Sequence, residues 1–236
     1  MIRHIAMTAA AAALTFTAAP ALAQVGELAP AVEATDTANT QAEQMPISVN
    51  FDVTQDRGNI LFLDLSNGER VAIRLVPQWA PNHVERIKTL TREGFYNGVP
   101  FHRVIDGFMA QTGDPTGTGQ GGSTLPDLEE EFNFLPHVRG TVSMARADDE
   151  DSANSQFFIV FYPRFALDRR YTNFGRVIQN MAAVDAINRG EPPANPTRVL
   201  QASIASDNVA QMMPSAAAPE LDEPVTLDML NAPLEN

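Results

Sequence analysis

From residue 60 onward, apolar residues come in short runs broken by turn residues, the signature of many short strands rather than of long helices. Ile60 to Leu65 and Val71 to Leu75 flank Ser66-Asn67-Gly68-Glu69. Asn-Gly between two β-rich runs predicts a hairpin, because both residues accept the positive φ of a tight turn. Pro81 to Gly94 predicts a helix: Pro81 suits the first turn, Val84, Ile87 and Leu90 form one stripe, and Gly94 supplies a left-handed stop. His83 lies on this helix with no partner at metal spacing and reads as a surface or cap residue. The stretch Phe101 to Asp114, FHRVIDGFMAQTGD, is two apolar runs around Asp106-Gly107. It predicts two neighbouring strands or one sharply bent strand, with Arg103 brought beside Phe108, Met109 and Gln111. Further strands are expected at Gly140–Ala145, Gln156–Phe161, Asn173–Ile178 and Arg198–Ile204, and a short second helix at Ala182–Ile187, stopped by Gly190. Many strands and only two helices argue for a closed antiparallel barrel.

The two ends of the chain differ from this pattern. Residues 1–23 have Arg3, an apolar Ala-rich run from Ile5 to Phe16, and Ala21-Leu22-Ala23, which together read as a cleaved secretory signal. The apolar run is interrupted by Thr8, Thr15 and Thr17 and falls short of the ~20 residues that span a bilayer. Export to the periplasm or beyond, with no membrane attachment after cleavage, is the expectation. Residues 24–46 lack aromatics and read as a disordered acidic linker. Residues 207–236 carry six acids and no Lys or Arg, and read as an acidic, disordered tail, with a short amphipathic helix near Val225 to Leu230 as the alternative.

Composition narrows the chemistry. Hydrophobic residues make up 44% of the 236, enough for a real core, and there is no cysteine, so thiolate metal sites and cysteine nucleophiles are excluded. A net charge of −13 argues against nucleic-acid binding, which needs clustered Lys and Arg. Most of that excess lies in the ends, and the middle of the chain carries only about −4. The Gly-rich run 113–122 lacks the Gly-Lys-Ser/Thr of a phosphate loop. The acids at 148–151 lack calcium-loop spacing and read as solvated. Ser143 and His102 are present without a nucleophile elbow, so a hydrolase has little support. No metal and no cofactor are expected.

The stretch 101–114, followed by Ser143-Met144-Ala145-Arg146-Ala147, Asn154-Ser155-Gln156-Phe157-Phe158-Ile159, and Leu167-Asp168 to Phe174-Gly175, resembles the cyclophilins, the cyclosporin-binding class of peptidyl-prolyl cis-trans isomerases. The matches run in the family's order over residues 47–206. The resemblance implies a closed eight-stranded antiparallel β-barrel capped by two α-helices that acts on proline-containing peptides; with the export signal, unfolded exported proteins are the expected clients, and a monomer is expected. It implies that Arg103 is the catalytic cation. Phe108, Met109, Phe158 and Leu167 match the proline pocket, and Gln111 the amide that holds the substrate backbone. Ala145, Arg146 and Ala147 match the segment along which the peptide lies, while His102 and Gln156 line or support the site. Tyr171 stands where many relatives have His. Two departures matter. The position that often carries Trp is Ala166, which implies weak cyclosporin sensitivity. Arg146 replaces a common Asn, which implies a bias toward acidic residues before proline. The alternative reading is a proline-segment-binding chaperone or scaffold with incidental turnover.

Xaa-Pro rotation faces a barrier of ~18–20 kcal/mol and makes or breaks no bond. It needs no nucleophile. An always-protonated Arg can donate to the twisting amide, and counts only where it binds the twisted state better than either planar one.

Overall fold

The computed structural model describes residues 46–215; the expected signal, most of the expected linker and the expected tail beyond 215 lie outside the described residues. Eight strands form one antiparallel sheet: β1 (Ile60–Leu65), β2 (Arg70–Leu75), β3 (Arg103–Ile105), β4 (Met109–Thr112), β5 (Thr141–Met144), β6 (Phe157–Val160), β7 (Asn173–Gln179) and β8 (Val199–Ile204). Their order across the sheet is β3-β4-β6-β5-β7-β2-β1-β8. Two helices accompany it, α1 (Pro81–Arg92) and α2 (Met181–Asp185). The Asn67-Gly68 turn joins β1 to β2 with Leu63 opposite Val71, and Gly68 sits at φ 87°.

The expected closed barrel is corrected in one respect: the sheet is strongly curled but open, with its edges 13 Å apart. Strands β3 and β8 do not pair. The segment that would close the gap, 97–101, contains Pro100, which has no N–H to give a ladder. Closure falls instead to isolated contacts. Phe101 donates its N–H to Thr197 O (2.9 Å) and Val199 to Val99 O (2.9 Å), while the Asn97 side chain accepts from Ala202 N–H (2.9 Å). These satisfy the edge of β8, which would otherwise be a template for further pairing.

The curl has two apolar faces. On β6, Phe157 and Ile159 enter the main core while Phe158 and Val160 enter a second cluster on the opposite face. The same alternation puts Val104 and Ala110 inside, and Ile105 and Met109 outside. A strand buried on both faces reads as a continuous apolar run, which is why Phe157–Phe161 shows no polar alternation. The outer cluster is the floor of the site.

Helix α1 buries Val84, Ile87 and Leu90 in the main core, each worth ~1.5–3 kcal/mol. His83 is buried too, not on the surface. Its Nδ1 lies 2.6 Å from Glu131 Oε2, and the same carboxylate accepts the main-chain N–H groups of Asn82 and His83, each at 3.1 Å. Ala80 at the N-cap offers no side-chain acceptor, so Glu131 supplies the missing cap and places its charge at the positive end of the helix. Arg74, also buried, donates to four main-chain carbonyls, those of Asn50, Asp52, Gln55 and Asp56, and so anchors the segment before β1. Past β8, Met212 N–H donates to Asp64 Oδ2 (2.7 Å) and the Gln201 amide to Ala210 O (2.9 Å), so residues 208–212 lie back along β1 and β8.

Candidate active site

The stretch 101–114 folds as the bent pair β3–β4, with Arg103 directly opposite Gln111 and Ile105 opposite Met109. Gly107, at φ 65°, makes the bend. On the next strand Phe158 faces Gln111 and Val160 faces Met109. Three strands thus carry an Arg, two amide-bearing or apolar side chains and a Phe onto one outer face.

That face is the floor of a cavity of about 550 Å³. Of the residues the resemblance assigns to the site, His102, Arg103, Phe108, Met109, Gln111, Ala145, Arg146, Phe158, Leu167 and Tyr171 all line it. Ala147 and Gln156 do not. They line an adjoining cavity of about 470 Å³, which shares Gln111, Ala145 and Arg146 with the first. The apolar part is well ordered by packing: Met109 and Phe158 are almost fully buried, and Tyr171 meets Phe158 edge-on, with ring centroids 5.6 Å apart.

The polar side chains are linked. Gln111 donates its amide to Gln156 Oε1 (2.9 Å), and Gln156 donates to the carbonyls of Gly119 (3.1 Å) and Gly121 (2.7 Å). The Gly-rich loop that rims the cavity is therefore tied to β4 and to the segment before β6. Its start is organised by buried Asp114, which accepts the N–H groups of Thr116 (2.7 Å), Thr118 (3.0 Å) and Gly119 (2.7 Å). Burial pulls the Asp114 carboxyl upward, but these hydrogen bonds outweigh it and hold the group down at about 2. Gly113 is required here: at φ 94°, a Cβ would lie 2.3 Å from Ser155 O.

Arg146 is folded onto main chain. It donates to Arg170 O, Ala147 O and Asp148 O and stacks over Tyr171 at 5.0 Å. The main-chain N–H of Ala145 donates to Gln156 O and that of Ala147 to Ser152 Oγ, whereas the Arg146 N–H has no acceptor among the described residues. His102 is buried in the wall with both ring nitrogens unpartnered, and burial holds its pKa below the ordinary histidine value.

Two features have no counterpart in the residue pattern. Glu191 and Pro192 line the cavity beside Arg103, with Glu191 Oε2 2.8 Å from Arg103 Nε. The pair spans 88 residues, and its only trace is a Pro-rich segment after α2. Second, Ser143 Oγ lies 2.8 Å from His137 Nε2, and His137 Nδ1 2.9 Å from Asp168 Oδ1. The hydrogen bonds run in the order of a catalytic triad, but Ser143 is fully buried on β5 and no substrate carbonyl reaches it. Among the described residues, no three His, Cys, Asp or Glu side chains gather as a metal site.

A curled antiparallel sheet thus presents an Arg and an amide beside an apolar pocket on its outer face. Residues 62–206 match the family described as cyclophilin type peptidyl-prolyl cis-trans isomerase, and the chain belongs to that family. It is 47% identical over 168 residues to a probable peptidyl-prolyl cis-trans isomerase of Brucella suis, covering 64% of this chain and 85% of that protein. It is 46% identical over 122 residues to the mouse peptidylprolyl isomerase domain and WD repeat-containing protein 1, covering 50% of this chain and 19% of that one. Among solved structures, a cyclophilin of Hirschia baltica superposes with a TM-score of 0.60 at 30% identity, covering 64% of this chain and 76% of that one. A Cryptosporidium parvum cyclophilin type isomerase, solved in the presence of the dipeptide Ala-Pro, superposes at 0.57 with 26% identity, covering 61% and 98%. The protein is an isomerase of Xaa-Pro peptide bonds, and it binds proline-containing peptides as its family does.

Proposed function

We propose that this isomerase works on exported polypeptides, outside the cytoplasm, and that Arg103 supplies the charge that lowers its rotational barrier. The observation that carries the assignment is the convergence on one cavity of Arg103, Gln111 and the apolar floor Phe108, Met109, Phe158 and Leu167. The proline ring fits the apolar floor. The Arg103 guanidinium donates to the prolyl amide as it loses double-bond character, and Gln111 with the Arg146 N–H holds one side of the peptide while the other turns. An oriented donor of this kind is worth ~3–4 kcal/mol, or a few hundredfold. The positive charge of Arg146 at the rim favours an acidic residue before proline. Export rests on residues 1–23, whose charged start, apolar run and Ala21-Leu22-Ala23 have the form of a cleaved signal.

The test is cis/trans exchange of short Xaa-Pro peptides by NMR, with the purified protein and Arg103→Ala. The expected result is a wild type that speeds exchange and a folded variant that loses most of that rate. Shifts of the peptide signals without faster exchange would make the protein a proline-binding scaffold instead. Comparing Glu-Pro with Lys-Pro peptides tests the rim charge. Amino-terminal sequencing of the protein recovered from its host should begin at Gln24; an intact Met1 would remove the export reading.

A further inference from the structure

We infer that Glu191 is a positioning residue for the isomerase reaction: it holds the Arg103 guanidinium by Nε and so presents the two Nη groups to the twisting amide. The inference rests on the assignment of Arg103 as the catalytic cation.

The Arg103 side chain has one hydrogen-bond partner among the described residues, Glu191 Oε2 at 2.8 Å. Both side chains are about half exposed, 43% and 51%. An ion pair this exposed adds little stability. Its consequence is geometric. A guanidinium has five N–H donors in a rigid plane. Once Nε–H is engaged, the plane's orientation is set and four donors on Nη1 and Nη2 remain for substrate. A free Arg side chain samples many rotamers, and that freedom would have to be lost at the transition state. Glu191 removes part of that freedom beforehand, which is what preorganisation of a catalytic charge means.

Glu191 is itself held. Its neighbour Gly190 exchanges two main-chain hydrogen bonds with Val104, at 2.8 and 2.9 Å, so the 189–192 segment runs against the free edge of β3 one residue from Arg103. Gly190 is packed so tightly that a Cβ would meet Pro193 Cα at 2.5 Å. On the other side Arg189 donates to Asp106 Oδ1 (3.2 Å) and stacks on Phe161 at 4.3 Å. β3 is an edge strand of the sheet, and Gly190 makes its isolated bridge on that edge.

Three substitutions and one spectrum test the role. Glu191→Ala removes the acceptor, Glu191→Gln keeps an acceptor oxygen without charge, and Arg103→Ala is the baseline. Glu191→Ala should lower kcat roughly tenfold, the scale of a misoriented group, while KM changes less than about twofold. Glu191→Gln should recover most of kcat. In the wild type, the Arg103 Nε–H should give a resolved, slowly exchanging NMR signal, lost in Glu191→Ala with the amide spectrum otherwise unchanged. A Glu191→Ala enzyme at wild-type kcat, a Gln variant as slow as the Ala variant, or a wild type with no protected Nε–H signal would each overturn the proposal. An Arg103→Ala variant at wild-type kcat would overturn the catalytic reading of Arg103 instead, so the two failures are told apart.

Discussion

The imidazole of His137 lies nearly parallel to the ring of Phe158, 19° between planes and 6.4 Å between centroids, so the floor of the cavity lies over a buried polar group. That group is fixed at both nitrogens, by Ser143 and by Asp168, and the Asp168 carboxylate also accepts the His137 main-chain N–H at 2.8 Å. Asp168→Ala should therefore cost ~1–3 kcal/mol of stability by leaving His137 without its acceptor. It should also slow turnover several-fold through Phe158, without any contact to substrate. Urea unfolding and kcat on the same variant check both; a stable variant with unchanged kcat would show that Phe158 does not depend on what lies beneath it.

Acid should destabilise the protein in two stages of the same sign. His137 is held below its ordinary value by burial, against the pull of Asp168, and His102 by burial, with Asp114 opposing. The unfolded chain takes up these protons near pH ~6.5 and the folded chain only at lower pH, so stability is full above that value and falls as pH drops below it. Glu131 and Asp114 are also depressed, the latter to about 2, so their contribution is present above pH ~4 and lost as pH falls further. Urea midpoints from pH ~8 downward should be level, then decline from pH ~6.5, then decline more steeply below ~4. A level midpoint between pH ~7.5 and ~5 would contradict the histidine stage.

Asp114 gathers the rim loop, and its loss should appear in binding as much as in stability. Asp114→Ala strands the N–H groups of Thr116, Thr118 and Gly119, at a cost of ~2–3 kcal/mol. Gly117, Thr118, Gly119 and Gln120 all line the cavity, so KM should rise several-fold while Asp114→Asn, which keeps one acceptor oxygen, lies between. Peptide titrations followed by NMR would show this; an unchanged KM would mean that the loop keeps its shape without its anchor.

Cyclosporin should inhibit only at micromolar concentration. Ala166, at the position where relatives often carry Trp, is exposed in the turn Phe165–Leu167 and presents a single methyl group, while neighbouring Phe165 is 64% exposed. Inhibition assays with Ala166→Trp should shift the response toward tighter binding; nanomolar inhibition of the unaltered protein would refute the expectation.

What could be read from residue order follows the range of the interaction. The β1–β2 hairpin is legible because Asn67-Gly68 decides it within four residues. The bent pair β3–β4 is legible for the same reason, and the residues that the resemblance singled out, Arg103, Gln111 and the apolar floor, line one cavity. The open edge is not legible: it depends on how 97–101 meets 197–199, and Pro100 alone does not announce that the ladder stops. Glu191 and the His137–Asp168 contact are pairings of exposed-type residues 88 and 31 apart, with no period to betray them. His83 is the instructive case. Its spacing of four from Ile87 places it on the buried stripe, and its polarity hid that, because the acceptor that makes burial tolerable arrives from a distant loop.

That acceptor has a bearing on how the domain assembles. The first amides of helix α1 find their partner only when a carboxylate 48 residues further along the chain has docked. A helix started in isolation would fray at this end, since Ala80 offers it nothing. The helix and the loop that carries Glu131 are therefore one cooperative unit, and hydrogen exchange at Asn82 and His83 should report the opening of that unit rather than the fraying of a helix terminus.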